Sequence, residues 1–366
     1  MNVLRLLIIA PFGDYGGSEM VLMRVLRALP DSIEPHLLVL TPGPFADMLG
    51  DEGYNPRVED LRGKSALARF PLVARSLAAD YADSRYDLVH ANGVKAALLG
   101  VPMARRMGSP LVWMKHDHFY DGRFARAVAR RCDHVAVVSQ AMAAQFRPEF
   151  DDRLSVIYPG VVIEPLPPPV PTEPLVVAVG RLDPRKGFDN LLRAVRLLRD
   201  RGQDARAHIA GPVDRVFPEH AAELDALVGE LGLREYAEVG WVDDVHELYR
   251  RARVVAMASP ARKGGRPSEG APTVLMEAMG QARPVVGPRQ DGIAEVVGDV
   301  GTLVDEPTPE QLANALEPYI ADRAMADEAG LRGRERAERV FSSERTLEAL
   351  MEMWRTVIAA GDGRGS

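Results

Sequence analysis

The chain has 366 residues, 46% of them hydrophobic and 27% charged, the balance of a soluble globular protein, which excludes wholesale disorder and suits two domains of common size. Its formal net charge of −7 argues against a general nucleic-acid binder, while leaving room for a local basic patch against an anionic membrane surface. The single cysteine, Cys132, excludes an intramolecular disulfide and a cysteine-based metal cluster within the chain, and fits a reducing, cytoplasmic compartment.

Leu4 to Ala10 is an apolar run cut off by Pro11-Phe12-Gly13. It is too short for a membrane span, lacks the organisation of a signal peptide, and predicts a strand buried on both faces of a parallel sheet. Gly13-Asp14-Tyr15-Gly16-Gly17-Ser18-Glu19 follows, then a helix with Val21, Leu22, Val25, Leu26 and Leu29 on one face. Strand, glycine loop and helix N-terminus in that order can hold a phosphate, and a tight turn that binds nothing reads the same way. The glycines do not fit G-x-G-x-x-G, which counts against a dinucleotide oxidoreductase.

His36 to Leu40, Leu88 to Ala91, Leu111 to Met114 and Val135 to Ser139 are further short apolar runs separated by helical lengths, an α/β alternation. Ligands of open α/β sheets collect beyond the carboxyl ends of strands. That places His90-Ala91-Asn92-Gly93 and Lys115-His116-Asp117-His118 in position for function. A hydrogen-bonded structural role is the commoner fate of such a histidine, His118 in particular. A metal site at His116 to His118 is disfavoured, because neighbouring residues of this kind do not converge on one ion by themselves. Ser139 is expected to cap a helix running to about Phe146. Val156 to Val161 ends this half, and the proline-rich stretch Pro165 to Pro171 reads as a stiff connector.

The second half restarts the pattern. Leu175 to Gly180 predicts a strand, then the loop Arg181-Leu182-Asp183-Pro184-Arg185-Lys186-Gly187, then a helix capped by Asp189 with Leu191, Leu192, Val195 and Leu198 inward. Arg181 can fork two hydrogen bonds to a phosphate and Lys186 adds a mobile charge; a solvated basic loop is the alternative. His208 to Gly211 is a strand and turn, and Asp243 and Asp244 are candidate helix caps. Val254 to Ala258 leads to a basic insert, Arg262 to Arg266, and then to Glu269 and Glu277, eight positions apart across a loop and the start of a helix. Pro272, in the first turn, has no N–H, so a phosphate here meets the N–H groups of Ala271, Thr273 or Val274. Acidic residues near a helix start are also stabilised by the dipole with no ligand. The last helix carries a packing stripe of Leu347, Leu350, Trp354 and Val357, and residues 361–366 read as a frayed tail.

Pro267-Ser268-Glu269-Gly270 running on to Glu277-Ala278-Met279 and Pro284-Val285-Val286, with Val179-Gly180-Arg181-Leu182 and Lys186-Gly187 before it, resembles the E-x7-E retaining enzymes of glycosyltransferase family 4. The resemblance spans nearly the whole chain, strongest from Val179 to Val304. It implies an α/β GT-B fold: two Rossmann-like domains with a cleft between them, residues 1–164 and 175–342, a linker at 165–174, and a helix at 343–366 that crosses back to the first domain. It further implies sugar transfer from a nucleotide-sugar donor to an acceptor hydroxyl with retention of configuration and no essential metal. No Asp-x-Asp triplet of the metal-dependent type is present.

On that likeness His116 and Glu269 are the catalytic candidates. Gly16, Gly17, Arg181, Lys186, Thr273 and Val274 face the diphosphate, Glu277 the ribose, Val242 and Asp244 the base, and Gly270 and Ala271 the sugar. The variants around Gly270 and Gly292 are similar to exopolysaccharide-assembly members, which implies a lipid-linked or polysaccharide acceptor and peripheral contact with the inner face of the membrane. A small-molecule acceptor, a nucleotide-sugar epimerase on the same fold, and a binding subunit without turnover stay open.

Overall fold

The computed structural model describes residues 3–62, 64–81, 85–166, 172–261 and 269–362. The core of the proline-rich connector (167–171), the basic insert with Pro267 and Ser268 (262–268) and the last four residues lie outside the described residues. The chain divides into two compact units: Met1–Gly160 together with Ser343–Ser366, and Val161–Ser342.

The first unit alternates strand and helix: β1 (Leu4–Ala10), α1 (Gly17–Arg27), β2 (Ile33–Val39), α2 (Pro44–Asp51), β3 (Arg57–Val58), α3 (Lys64–Asp80), β4 (Leu88–Asn92), α4 (Val94–Met107), β5 (Leu111–Lys115), α5 (Arg123–Ala129), β6 (His134–Val137), α6 (Gln140–Ala143) and β7 (Leu154–Val156). The strands form one parallel sheet in the order β3-β2-β1-β4-β5-β6-β7. Leu6, Leu7, Ile8 and Ile9 of β1 are wholly buried, as a central parallel strand covered by helices on both faces requires. Ser139 caps α6 by accepting from the Met142 N–H at 3.2 Å. That helix ends at Ala143 rather than Phe146, the following residues forming turns. The strand expected over Val156 to Val161 is instead β7 followed by irregular chain, with Val161 making only an isolated bridge to Ser342.

The second unit repeats the theme with β8 (Leu175–Val179), α7 (Phe188–Asp200), β9 (Arg206–Ala210), α8 (His220–Glu230), β10 (Ala237–Gly240), α9 (Val245–Arg251), β11 (Val254–Ala256), α10 (Thr273–Gly280), β12 (Val285–Pro288), α11 (Asp291–Val297), β13 (Thr302–Val304), α12 (Pro309–Ala321) and α13 (Arg323–Val340). Its six parallel strands run β10-β9-β8-β11-β12-β13, the doubly wound order whose reversal point lies between the first and fourth strands. Asp189 is not the cap of α7. Gly187 holds that position at φ +65 and Asp189 sits in the first turn, where a carboxylate still suits the dipole.

The last helix, α14 (Ser343–Asp362), belongs to the first unit. Trp354, 1% exposed, donates its Nε1–H to His90 Nδ1 at 3.2 Å, and the two rings meet edge to face at 5.7 Å. Thr346 Oγ1 donates to the Tyr158 carbonyl at 2.9 Å. Trp354→Ala removes a large buried side chain and strands a buried imidazole, so it is expected to destabilise the first unit by about 3–5 kcal/mol, measured by denaturant unfolding. A loss under about 1 kcal/mol would show that α14 is dispensable to that unit.

Candidate functional site

In the second unit the site is built at the carboxyl ends of β8 and β11. Beyond β8, Asp183 is 1% exposed and organises the loop: its carboxylate accepts from the Arg185 backbone N–H at 2.8 Å and from the Arg185 guanidinium, and its carbonyl accepts from Lys186 N at 2.9 Å. Burial opposes ionisation of Asp183, and the bonds from Arg185 outweigh it, so its pKa lies below the ordinary carboxylate value. The loop closes at Gly187, where the backbone is left-handed and an added Cβ would lie 2.2 Å from the Ala258 carbonyl oxygen. Only glycine lets the loop beyond β8 press against the chain leaving β11.

That approach brings Lys186 Nζ to 2.6 Å from Glu269 Oε1, with both side chains about one-fifth exposed. Ser259 Oγ donates to the same oxygen at 3.1 Å. Glu269 lies just ahead of α10. Pro272 takes the N-cap position rather than the first turn and supplies no side-chain cap, so the first N–H groups of α10, at the part-exposed Thr273 and Val274, have no capping side chain. Gly270 is buried and Ala271 part-exposed. The N-terminus of α11 closes on this loop at Gly292, where a Cβ would lie 2.0 Å from the Gly270 carbonyl oxygen. Glu277, in the second turn of α10, accepts from Tyr249 Oη at 3.5 Å.

Arg181 is more than half exposed and lies 3.2 Å from Asp214, which is itself 1% exposed and accepts from the N–H groups of Val216 at 2.7 Å and Phe217 at 3.3 Å. The structure therefore joins Lys186 to Glu269 directly and gives Arg181 and Glu277 their own partners. Asp244 is the N-cap of α9, its Oδ1 accepting from Glu247 N at 3.0 Å, and the backbone bond at Glu247 holds its pKa down. Asp243 accepts from Trp241 Nε1 at 2.9 Å, and Val242 is part-exposed.

In the first unit, Gly16 is the N-cap of α1 and Gly17 its first residue. A Cβ on Gly16 would fall 2.5 Å from Glu19 Oε2, while one on Gly17 would meet nothing within 4 Å. A side chain at Gly16 would therefore push the end of the Glu19 side chain aside. His116 Nε2 lies 2.5 Å from Asn92 Oδ1; with that amide assignment Nε2 carries the proton and Nδ1 is free to accept. Burial, with His90 and Lys115 nearby, pushes the His116 pKa down to about 3, and burial takes His90 to about 4. Lys115 is 2% exposed and clamps its own loop, donating to the Asp117 and Phe119 carbonyls at 2.5 and 2.9 Å and pairing with Asp121 at 2.8 Å. His118 Nδ1 lies 2.8 Å from Asp121 as well, which makes it a structural partner. Among the described residues no three His, Cys, Asp or Glu side chains gather closely enough to hold a metal ion, and no helix is long and apolar enough to cross a membrane.

Asp183, Asp214, Ser259, Gly292 and Glu19 are additions to the sequence reading. Asp183, Gly292 and Glu19 lie inside motifs visible in the sequence, and only three-dimensional proximity shows what each does. Asp214 and Ser259 carry no local signal, since a lone aspartate after a strand reads as a turn.

Two parallel doubly wound sheets are the architecture of GT-B glycosyltransferases. The structure of HepE of Anabaena in complex with UDP matches with a TM-score of 0.81 at 22% identity, covering 96% of this chain and 100% of that one. Sucrose-phosphate synthase from Thermosynechococcus elongatus matches with a TM-score of 0.76 at 21% identity, over 98% and 100%. The model of glycosyltransferase family 4 matches residues 15–165, and that of glycosyl transferases group 1 matches residues 173–322. The chain is 31% identical over 268 residues to a GDP-mannose-dependent alpha-(1-6)-phosphatidylinositol monomannoside mannosyltransferase of Mycolicibacterium smegmatis, covering 65% of this chain and 68% of that protein. A D-inositol 3-phosphate glycosyltransferase of Salinispora arenicola is 26% identical over 410 residues, covering 95% and 89%. The chain belongs to glycosyltransferase family 4 and is a glycosyltransferase.

The depressed pKa values of His90 and His116 fix a pH response. The unfolded chain takes up protons at these rings near pH 6.5, well before the folded one does. Their contribution to stability is therefore whole above pH 6.5 and is lost as pH falls towards 3 to 4. Proton NMR should find both rings neutral from pH 9 down to 5; titration of either near 6.5 would contradict the burial argument.

Proposed function

We propose that the protein transfers a sugar from a nucleotide-sugar donor to an acceptor hydroxyl with retention of anomeric configuration. The observation that carries this is the Lys186–Glu269 pair at the head of α10, 2.6 Å long. A cation and a carboxylate in contact beside the N–H groups of a helix N-terminus are what a sugar diphosphate engages from its two ends. In this reading Lys186, Arg181 and the N–H groups of Thr273 and Val274 receive the diphosphate. Glu277 binds ribose hydroxyls, and Glu269, Gly270 and Ala271 meet the sugar. Val242 and Asp244 lie towards the base.

As the donor bond breaks, negative charge grows on the departing phosphate, where Lys186 and Arg181 stabilise it. Departure and attack occur on the same face, the departing phosphate helping to take the acceptor's proton, and no metal takes part. His116, neutral at physiological pH, serves as a hydrogen-bonding group rather than as a cation. The donors and acceptors named for the relatives, nucleotide sugars and polyol or lipid-linked acceptors, suggest assembly of a glycolipid or polysaccharide at the inner face of a membrane.

A thermal-shift panel of UDP-, GDP-, ADP- and dTDP-sugars should find one base that raises the melting temperature, since a ligand of the folded state stabilises by mass action. Lys186→Ala and Glu277→Ala should each weaken that donor by about 10- to 100-fold, the equivalent of losing one charged hydrogen bond. NMR of the product should show the donor's anomeric configuration kept. Unchanged donor binding and rate in both variants, or an inverted product, would overturn the assignment.

A further inference from the structure

Three buried polar atoms that lack a partner among the described residues stand at one edge of the first unit: Glu19 Oε1, Asn92 Nδ2 and His118 Nε2. They belong to the segments that end or follow β1, β4 and β5, which are neighbours in the sheet. The loops there touch: Gly93 N donates to the Met114 carbonyl at 2.8 Å, and a Cβ on Gly93 would lie 3.4 Å from Pro11. This is the edge at which open parallel sheets receive ligands.

Glu19 is the sharpest of the three. It is 2% exposed, folds back over Gly16, and has one oxygen satisfied by Ser18 Oγ at 2.7 Å while the other has nothing. The charged groups acting on it are the carboxylates of Asp117 and Asp14, both repulsive. Together with burial, the larger cause, they push its pKa up to about 7. Asp183 is a buried carboxylate with a cationic partner; Glu19 has none of that support, so its placement works against folding. Buried polar groups left unsatisfied in a native state call for an explanation, and functional sites are where such conflicts collect.

We propose that Glu19 and Asn92 form a subsite for an uncharged polyhydroxyl acceptor, Glu19 Oε1 accepting from one hydroxyl and Asn92 Nδ2 donating to another. The inference rests on the glycosyl-transfer reading above and adds a chemical class to its acceptor. A polyol supplies both partners that the edge lacks, a donor for Oε1 and an acceptor for Nδ2. Asp14 and Asp117, the latter 4.0 Å from Lys115, are the charges that bear on Glu19, so a phosphate set directly against Glu19 is repelled. Inositol 3-phosphate, the compound named for the Salinispora relative, is disfavoured for this chain.

The test measures binding of myo-inositol and methyl hexopyranosides against D-inositol 3-phosphate and glucose 6-phosphate by saturation-transfer NMR, with and without the nucleoside diphosphate selected by the thermal panel. At least one neutral compound should bind the wild type, its phosphate should bind at least tenfold more weakly, and Glu19→Gln should weaken the neutral compound at least tenfold while leaving nucleotide affinity unchanged. Glu19→Gln should also melt several degrees higher than the wild type at pH 8, because it removes a buried charge the fold does not need. A residue of merely structural importance would lower the melting temperature and the binding together, and that result would overturn the proposal. So would tighter binding of the phosphates, or no binding of any neutral compound. Failure of the nucleotide itself to bind would count against the donor assignment alone, since the acceptor arm is also read without it.

Discussion

The second unit depends on a contact between two stretches that are 83 residues apart in the chain, Lys186 and Glu269. Neither side chain reaches the other by its own length alone. Gly187 lets the cationic loop lie against Ala258, and Gly292 lets α11 lie against Gly270, so two backbone approaches set up one ion pair. The pair is neither fully buried, where desolvation would offset its attraction, nor fully exposed, where water would screen it.

Much of this is written locally in the chain. The apolar runs at Leu4 to Ala10 and Leu175 to Gly180 identify buried strands because a parallel strand covered on both faces must be apolar throughout, and the structure places strands there. Ser139 and Asp244 read as caps and are caps. The misreadings concern boundaries where two local signals compete. Asp189 looks like a cap, but the left-handed turn at Gly187 starts α7 two residues earlier, and Pro272, suited to a first turn, stands one place before it. The site residues with no local signature are those whose meaning lies in a distant neighbour. Nothing around Asp214 announces that it lies beside Arg181, and nothing in Gly16-Gly17-Ser18-Glu19 tells which glycine makes room for the glutamate.

The two units treat their buried carboxylates in opposite ways. Asp183 is held ionised by Arg185, at the cost of tying up a guanidinium, and in return the loop before Lys186 has a fixed shape. Glu19 is buried without a cationic partner among the described residues, accepts from the Ser18 hydroxyl, and has its pKa pushed up to about 7 by burial. The first arrangement pre-sets a geometry for an anion, and the second keeps a hydrogen-bonding group dry and uncommitted.

Because α14 belongs with residues 1–160, the whole second unit is an insertion between two parts of the first. Its entry and exit run side by side, Val161 bridging to Ser342 and donating to the Phe341 carbonyl at 2.8 Å. Domains usually mature on the ribosome in the order in which they are made. Here the uninterrupted later unit has all its strands in hand first, whereas His90 waits for Trp354, 264 residues downstream, to cover it. A nascent chain halted shortly before its end would therefore carry a finished carboxyl-side unit and an amino-side unit still open along one face, the natural foothold for a chaperone.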